Sequence, residues 1–202
     1  MDKYVHQRRF NLITIRPYQK KDFRFVQDIC VATSWFANDD TPSNRALLCA
    51  MYCDYYLDNQ ADHCFVAVDE NDTPVGYILC AIDTDNYEEQ MTEKYLPLVR
   101  KLNSKQFFEF NAGLKLSQRY IRAGYIAHLH IDILPNYHRQ GIGTQLVDAL
   151  EAHLKELYVE GIHLVCSAKN QTARAFYEKV GFLDIDYVVG AVVYGKKFFT
   201  ED

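Results

Sequence analysis

The sequence predicts a mixed α/β domain over residues 12–200, a sheet with helices on its faces. Short runs rich in β-branched and aromatic residues recur between longer stretches whose apolar residues return every three or four positions. Their order is strand, two helices, hairpin, insertion, strand–helix–strand–helix and a closing strand pair, which combines strands joined by tight turns with a helical crossover. With 49% of residues apolar and 14% aromatic, the chain of 202 residues has ample material for one core.

Each element has its own signal. LITIR (12–16) reads as a strand ended by Pro17, and the helical spacing of Phe23, Val26, Cys30 and Thr33 predicts a helix over Lys21–Phe36 with Asp22 as its cap. A second helix fits Ser43–Leu57. CFVAV (64–68) and VGYILCAI (75–82) read as a hairpin across the turn NDTP. Residues 84–122 interrupt the rhythm with charged residues and dispersed aromatics; their length predicts one or two helices broken near Pro97. Two readings of this insertion stand side by side, a packing or oligomer contact and a mobile cover over a substrate.

In YIAHLHIDIL (125–134), Ala127, Leu129, Ile131 and Ile133 fall on one face and His128, His130 and Asp132 on the other. After Pro135, an apolar stripe of Ile142, Leu146, Leu150, Leu154 and Leu157 predicts a helix. IHLVCS (162–167) is a further strand, and Thr172–Val180 a helix burying Ala173, Phe176, Tyr177 and Val180, stopped by Gly181. LDIDYVV and AVVYGKKFF close the chain as strands turning at Gly190.

Charge and cysteine content limit the function classes. A net charge of −5 offers no general basic footprint for nucleic acid and suits a cationic small substrate. No apolar run is long enough to span a bilayer, and MDKYVHQRRFNL lacks the apolar stretch of a signal peptide. Six cysteines without a C-x-x-C pair read as reduced, buried thiols of a cytoplasmic protein.

Gly141 and Gly143 stand where a helix begins, directly after a strand. Unpaired amides and the helix dipole make such a terminus an anion site, and glycine lets phosphate oxygens approach. The alternative is that the glycines permit tight helix packing. The segment has no G-x-x-x-x-G-K-[ST], and Leu146 stands where a dinucleotide fingerprint needs its third glycine.

ILPNYHRQGIGTQL resembles the acetyl-CoA motif [RQ]-x-x-G-x-[GA] of the GCN5-related N-acetyltransferase (GNAT) superfamily. Asn170, Ala173, Tyr177 and Gly181-Phe182 are similar to that family's N-x-x-A-x-x-x-Y-x-x-x-G-F downstream. The resemblance runs from Leu12 to Phe199, apart from the insertion. It implies a mostly antiparallel central sheet flanked by helices, and acetyl-CoA as co-substrate without a metal. Its pyrophosphate is expected on the amides of Gln140, Gly141, Ile142, Gly143 and Thr144, with Arg139 beside them. The resemblance further implies that the Ile133 N–H polarises the thioester carbonyl in a gap beside the next strand, that Asn170 holds the pantetheine, and that Tyr177 protonates the departing thiolate.

Two positions depart from the family pattern. His138 occupies the first motif position, and Val165 stands where some members carry a glutamate base. The expected source of a base is therefore His128, His130 and Asp132, which share one face of their strand. A-H-L-H resembles the paired histidines of arylalkylamine acetyltransferases, one residue out of frame, and a β-bulge would restore the match. A-H-L-H-I-D also resembles the acetyltransferase-like domain of some O-GlcNAc hydrolases. A metal on His-x-His-x-Asp would leave the glycine and tyrosine motifs unexplained. The expectation is an N-acetyltransferase in which a primary amine attacks directly, the alternative a non-catalytic acyl-CoA-binding module. A small-molecule or peptide amine is the expected partner; nucleic acid and membrane are not, and a homodimer remains open.

Overall fold

The computed structural model describes residues 12–35, 37–188 and 190–199. Seven strands form one sheet: β1 (Thr14–Pro17), β2 (Phe65–Val68), β3 (Pro74–Ala81), β4 (Ala127–Ile133), β5 (Gly161–Ser167), β6 (Leu183–Val188) and β7 (Ala191–Lys197). Their spatial order is β1-β2-β3-β4-β5-β7-β6, antiparallel at every junction except the parallel β4–β5 pair. The expected mixed, mostly antiparallel sheet is what the chain forms.

The helices depart from expectation in their boundaries. α1 spans Phe23–Thr33, and the expected end at Phe36 lies outside the described residues. Asp22 does not cap α1. It is buried, and its carboxylate accepts from the Gln19 amide at 2.8 Å and from the Arg16 guanidinium at 2.7 and 2.9 Å. Holding a buried carboxylate with a paired guanidinium outweighs one helix amide. The single helix expected over 43–57 is two, α2 (Pro42–Tyr52) and α3 (Asp54–Asn59), because Cys53 leaves helical geometry at φ −137°. Thr41 caps α2, accepting from the Asn44 amide at 3.2 Å.

The insertion holds α4 (Thr84–Gln90), a π turn over Met91–Tyr95, α5 (Leu96–Leu102) and α6 (Ser104–Arg122). The helical path runs from α4 through the π turn into α5, and Pro97, in the first turn of α5, has no N–H to bond back into that turn; the ladder changes just before it, near the expected interruption, without ending. The break falls at Asn103, whose side chain accepts from the Gln106 amide at 3.1 Å and caps α6.

Two apolar clusters cover the sheet's faces. On one, α1, α2 and α3 meet Val66, Tyr77 and Leu79, joined by Met91, Tyr95 and Val99 of the insertion. That half of the insertion is core, as the packing reading required. On the other face, α7 (Ile142–Glu156) lays Ile142, Leu146, Leu150 and Leu154 across Ile78, Cys80, Ala127 and Leu129. Burial of each of these leucines contributes about 1.5–3 kcal/mol. Leu157, expected to complete the stripe, sits past the helix end and is exposed, because the chain turns away at residues 157–158. All six cysteines are buried and free.

α8 (Gln171–Lys179) was expected to bury Ala173, Phe176, Tyr177 and Val180; all four are only half-buried. The reason lies in the sheet. β4 and β5 pair only at Ala127↔Ile162 and His128↔His163, whereas β5 continues along β7 to Ser167 and β4 along β3 to Ile133. Beyond His128 the two strands part, and α8 borders the opening. The β4 register against β3 is unbroken from His128 to Ile133, so the bulge that would have reversed its faces is absent.

Candidate active site

The opening presents backbone as well as side chains. The Leu134 N–H donates to the Val75 carbonyl at 2.9 Å, so alternation turns the N–H groups of Ile131 and Ile133 away from β3, toward β5. These face the gap where β5 no longer pairs. The Ile133 carbonyl accepts from His138 Nε2 at 2.7 Å, which ties the loop after β4 to the strand's end. His138, in place of the usual Arg or Gln, thus has a structural partner.

The loop from Pro135 delivers α7 with its N-terminus at this end of the gap. Gly141 is the N-cap, left-handed at φ +80°, and Arg139 is also left-handed at φ +59°. A Cβ on Gly141 would meet nothing nearer than Gln145 at 4.0 Å, so glycine is needed there for backbone conformation, with open space above it. No side chain caps α7, and the first-turn amides of Ile142, Gly143 and Thr144 have no helical partner. The Ile142 side chain is buried in the core, Arg139 is exposed, and the Gln140 amide donates to the Asn136 carbonyl at 3.1 Å. Gly143 has a packing reason: a Cβ there would sit 3.0 Å from two ring carbons of Phe176. Both readings of the glycine pair therefore apply, one to each residue.

His130 and Asp132 share one partner, the buried Tyr77 of β3. The Tyr77 hydroxyl donates to Asp132 Oδ2 at 2.8 Å and lies 3.2 Å from His130 Nδ1. A carboxylate only accepts, so the phenolic proton belongs to Asp132, and the Tyr77 oxygen is left to accept from Nδ1–H. This network assigns the imidazole proton to Nδ1 and leaves Nε2 as a lone pair, 3.8 Å from Asp132 Oδ2. Burial holds the His130 pKa below its ordinary value, with Asp132 opposing, so the ring is neutral at pH 7. Tyr52 of α2 stacks on it with ring centroids 5.2 Å apart, and Trp35 and Phe110 meet Tyr52 edge-on.

His128 is elsewhere. It lies deeper on the same strand face, its Nδ1 3.0 Å from the Tyr56 hydroxyl and its ring against Tyr87 and His163. Burial pushes its pKa down to about 3, and Nε2 is buried with no hydrogen-bond partner among the described residues. It does not line the cleft. The expected relay of three is thus a pair, because α3 and α4 close over the first histidine.

A cleft of about 330 Å³ brings His130 and Asp132 together with Asn170, Tyr177 and Ile131, and Ile133 lies beyond its lining. Asn170 caps α8, its Oδ1 accepting from the Ala173 amide at 3.1 Å, which leaves its NH2 group unspent. The Tyr177 ring packs against Phe176, Phe182 and Tyr194. Burial, and then Cys166 and Asp132, raise its pKa, so the phenol keeps its proton at neutral pH. Val165, where the alternative glutamate would stand, is on the cleft wall and 57% exposed.

Sequence reasoning missed Tyr77, Tyr52 and Trp35. Tyr77 reads as one more core residue of a strand until the register Tyr77↔Asp132 is known. The other two sit at the end of α2 and just past α1, where no motif marks them.

A family model for the acetyltransferase (GNAT) family matches residues 31–182. Among solved structures the chain is similar to SsHAT, with 27% identity, a TM-score of 0.80, and coverage of 92% of this chain and 98% of that one. It shares its fold with PH1933 from Pyrococcus horikoshii OT3 (20% identity, TM-score 0.65, covering 94% and 100%). The same holds for the PaiA N-acetyltransferase from Thermoplasma acidophilum, solved in complex with coenzyme A (16%, 0.60, covering 93% and 99%). With residues 31–182, most of its length and including the glycine-opened α7, inside that family model, the chain belongs to the GNAT acetyltransferase family.

Proposed function

We propose that the protein is an acetyl-CoA-dependent N-acetyltransferase whose single domain spans residues 12–200, acting in the cytoplasm on a primary amine by direct attack. The observation that carries this reading is the convergence, in one cleft, of the β4–β5 gap, a proton-bearing Tyr177 and a neutral His130. The residues fit the co-substrate: Gly141 leaves open space over the first-turn amides of α7, and the gap offers the Ile133 N–H, which has no partner among the described residues.

In this reading Arg139 and the amides of residues 140–144 hold the pyrophosphate, and the Asn170 NH2 holds the pantetheine. Acetyl-CoA, when bound, supplies an acyl carbon activated as a thioester. The Ile133 N–H stabilises negative charge on its carbonyl oxygen. His130 Nε2 accepts the proton that the ammonium must lose before its lone pair can attack, and the Tyr177 phenol donates a proton to the departing sulfur. Asp132 and Tyr77 position His130. His128 has no part in the chemistry, since its ring is closed off from the cleft.

Calorimetry with coenzyme A, followed by thiol release from acetyl-CoA across a panel of amines, tests the proposal. Binding with thiol release on an amine supports it. Binding without release on any amine assigns the protein to the acyl-CoA-binding modules, and no binding overturns both readings.

A further inference from the structure

The acceptor end of the cleft has a charge pattern that selects among amines, and this inference rests on the N-acetyltransferase reading. Among the described residues Asp132 is the only carboxylate that lines the cleft, and no lysine or arginine lines it. His130 Nε2 and Asp132 Oδ2 are 3.8 Å apart, too far to bond each other and close enough to receive two N–H groups of one ammonium. Their side chains are 28% and 29% exposed, open enough for a ligand to reach. The same cleft is lined by the rings of Tyr52, stacked on His130, and Trp35, in a T-shaped contact with Tyr52 and 58% exposed.

We infer that the acceptor is a small primary amine with a flat apolar body and no carboxylate on its amine-bearing carbon, its ammonium seated between His130 and Asp132 and its body against Tyr52 and Trp35. A carboxylate on that carbon would lie within about 5 Å of Asp132, with no lysine or arginine of the described lining to pair it. Like charges at that distance in a partly buried site disfavour binding on the order of 10²-fold. Free amino acids are therefore excluded by charge, not by size.

Matched acceptors test this. Phenethylamine, phenylalaninamide and phenylalanine share a body; the amide has the bulk of the amino acid without its charge. We expect kcat/KM from thiol release to be similar for the amine and the amide and at least about 10²-fold lower for phenylalanine. In Asp132→Asn the ratio between amide and amino acid should narrow about tenfold or more, whatever happens to the absolute rates. Trp35 is the chain's single tryptophan, so its emission reports acceptor binding to the coenzyme A complex without turnover. Equal rejection of the amide and the amino acid overturns the charge argument, as does an unchanged ratio in Asp132→Asn. Coenzyme A binding with no response of Trp35 to any of the three ligands overturns the inference while leaving the N-acetyltransferase reading. Failure to bind coenzyme A would overturn that reading instead.

Discussion

Replacing Tyr77 by phenylalanine removes one oxygen atom from the site and tests how His130 is held. The lost hydroxyl makes two hydrogen bonds, 2.8 Å to Asp132 and 3.2 Å to His130. Hydrogen bonds to charged groups contribute about 1.5–3 kcal/mol and neutral ones about 0.5–1.5 kcal/mol. Both partners are more than a quarter exposed, so water replaces part of what is lost. The net cost should be about 1–2 kcal/mol. For a chain of this length that corresponds to a Tm about 3–6 °C lower. The sharper readout is the imidazole itself. Two-bond proton–nitrogen NMR of His130 should show the proton on Nδ1 in the wild type and a mixture of tautomers in Tyr77→Phe. With a reactive amine, kcat/KM should fall about tenfold or more while coenzyme A affinity stays unchanged. A wild-type His130 protonated on Nε2, or a variant with the same tautomer and the same Tm, would refute the assignment of this network.

Tyr177→Phe should lower kcat about 10²-fold with coenzyme A affinity preserved; unchanged turnover with chemistry rate-limiting removes the phenol from the reaction. Acid should destabilise the fold through His128. Its folded value near 3 lies below the ordinary 6.5, so in that window the unfolded chain binds a proton that the folded one does not, and stability is lost as pH falls. From pH 6.5 to 5 this amounts to about 2 kcal/mol, with the depressed His130 and His163 adding in the same direction. Denaturation midpoints at pH 7.5 and 5 measure it, and His128→Phe should shrink the difference. Gly143→Ala should push the Phe176 ring and cost about 1 kcal/mol; Phe176→Leu in the same chain should relieve it. A coenzyme A affinity that stays low in the double variant would instead place Gly143 in the phosphate path.

The strands, α7, α8 and the turns at Gly181 and Gly190 were legible because periodicity and glycine placement are local signals. The cap at Thr41 is equally local, two residues before the expected helix start at Ser43, whereas Asn103 reads as a cap only once the helix break at 102–103 is known. The candidate site divides differently. His128 and His130 are indistinguishable in a period-two pattern, and what separates them is tertiary: Tyr56 and Tyr87 seal one, while the other opens on the cleft. No spacing rule could supply Tyr77, since its role follows from strand register across an insertion of about forty residues. The glycine pair was read as one feature, whereas the structure divides it between backbone conformation at Gly141 and helix packing at Gly143.

The two residue pairs that join β4 to β5 have a mechanical consequence. α7 packs across β1 to β4, and among the described residues β5, β6 and β7 meet those strands by backbone pairing only at Ala127 and His128; the rest of the join is side-chain packing of Ile162, Leu164, Phe182 and Tyr194 in one cluster with the α7 leucines. So short a ladder leaves the join of the two edges to side-chain packing, so opening along it should expose fewer ladder amides to hydrogen exchange than opening elsewhere in the sheet. Any ligand that bridges the two edges links their opening equilibria and stabilises both by mass action.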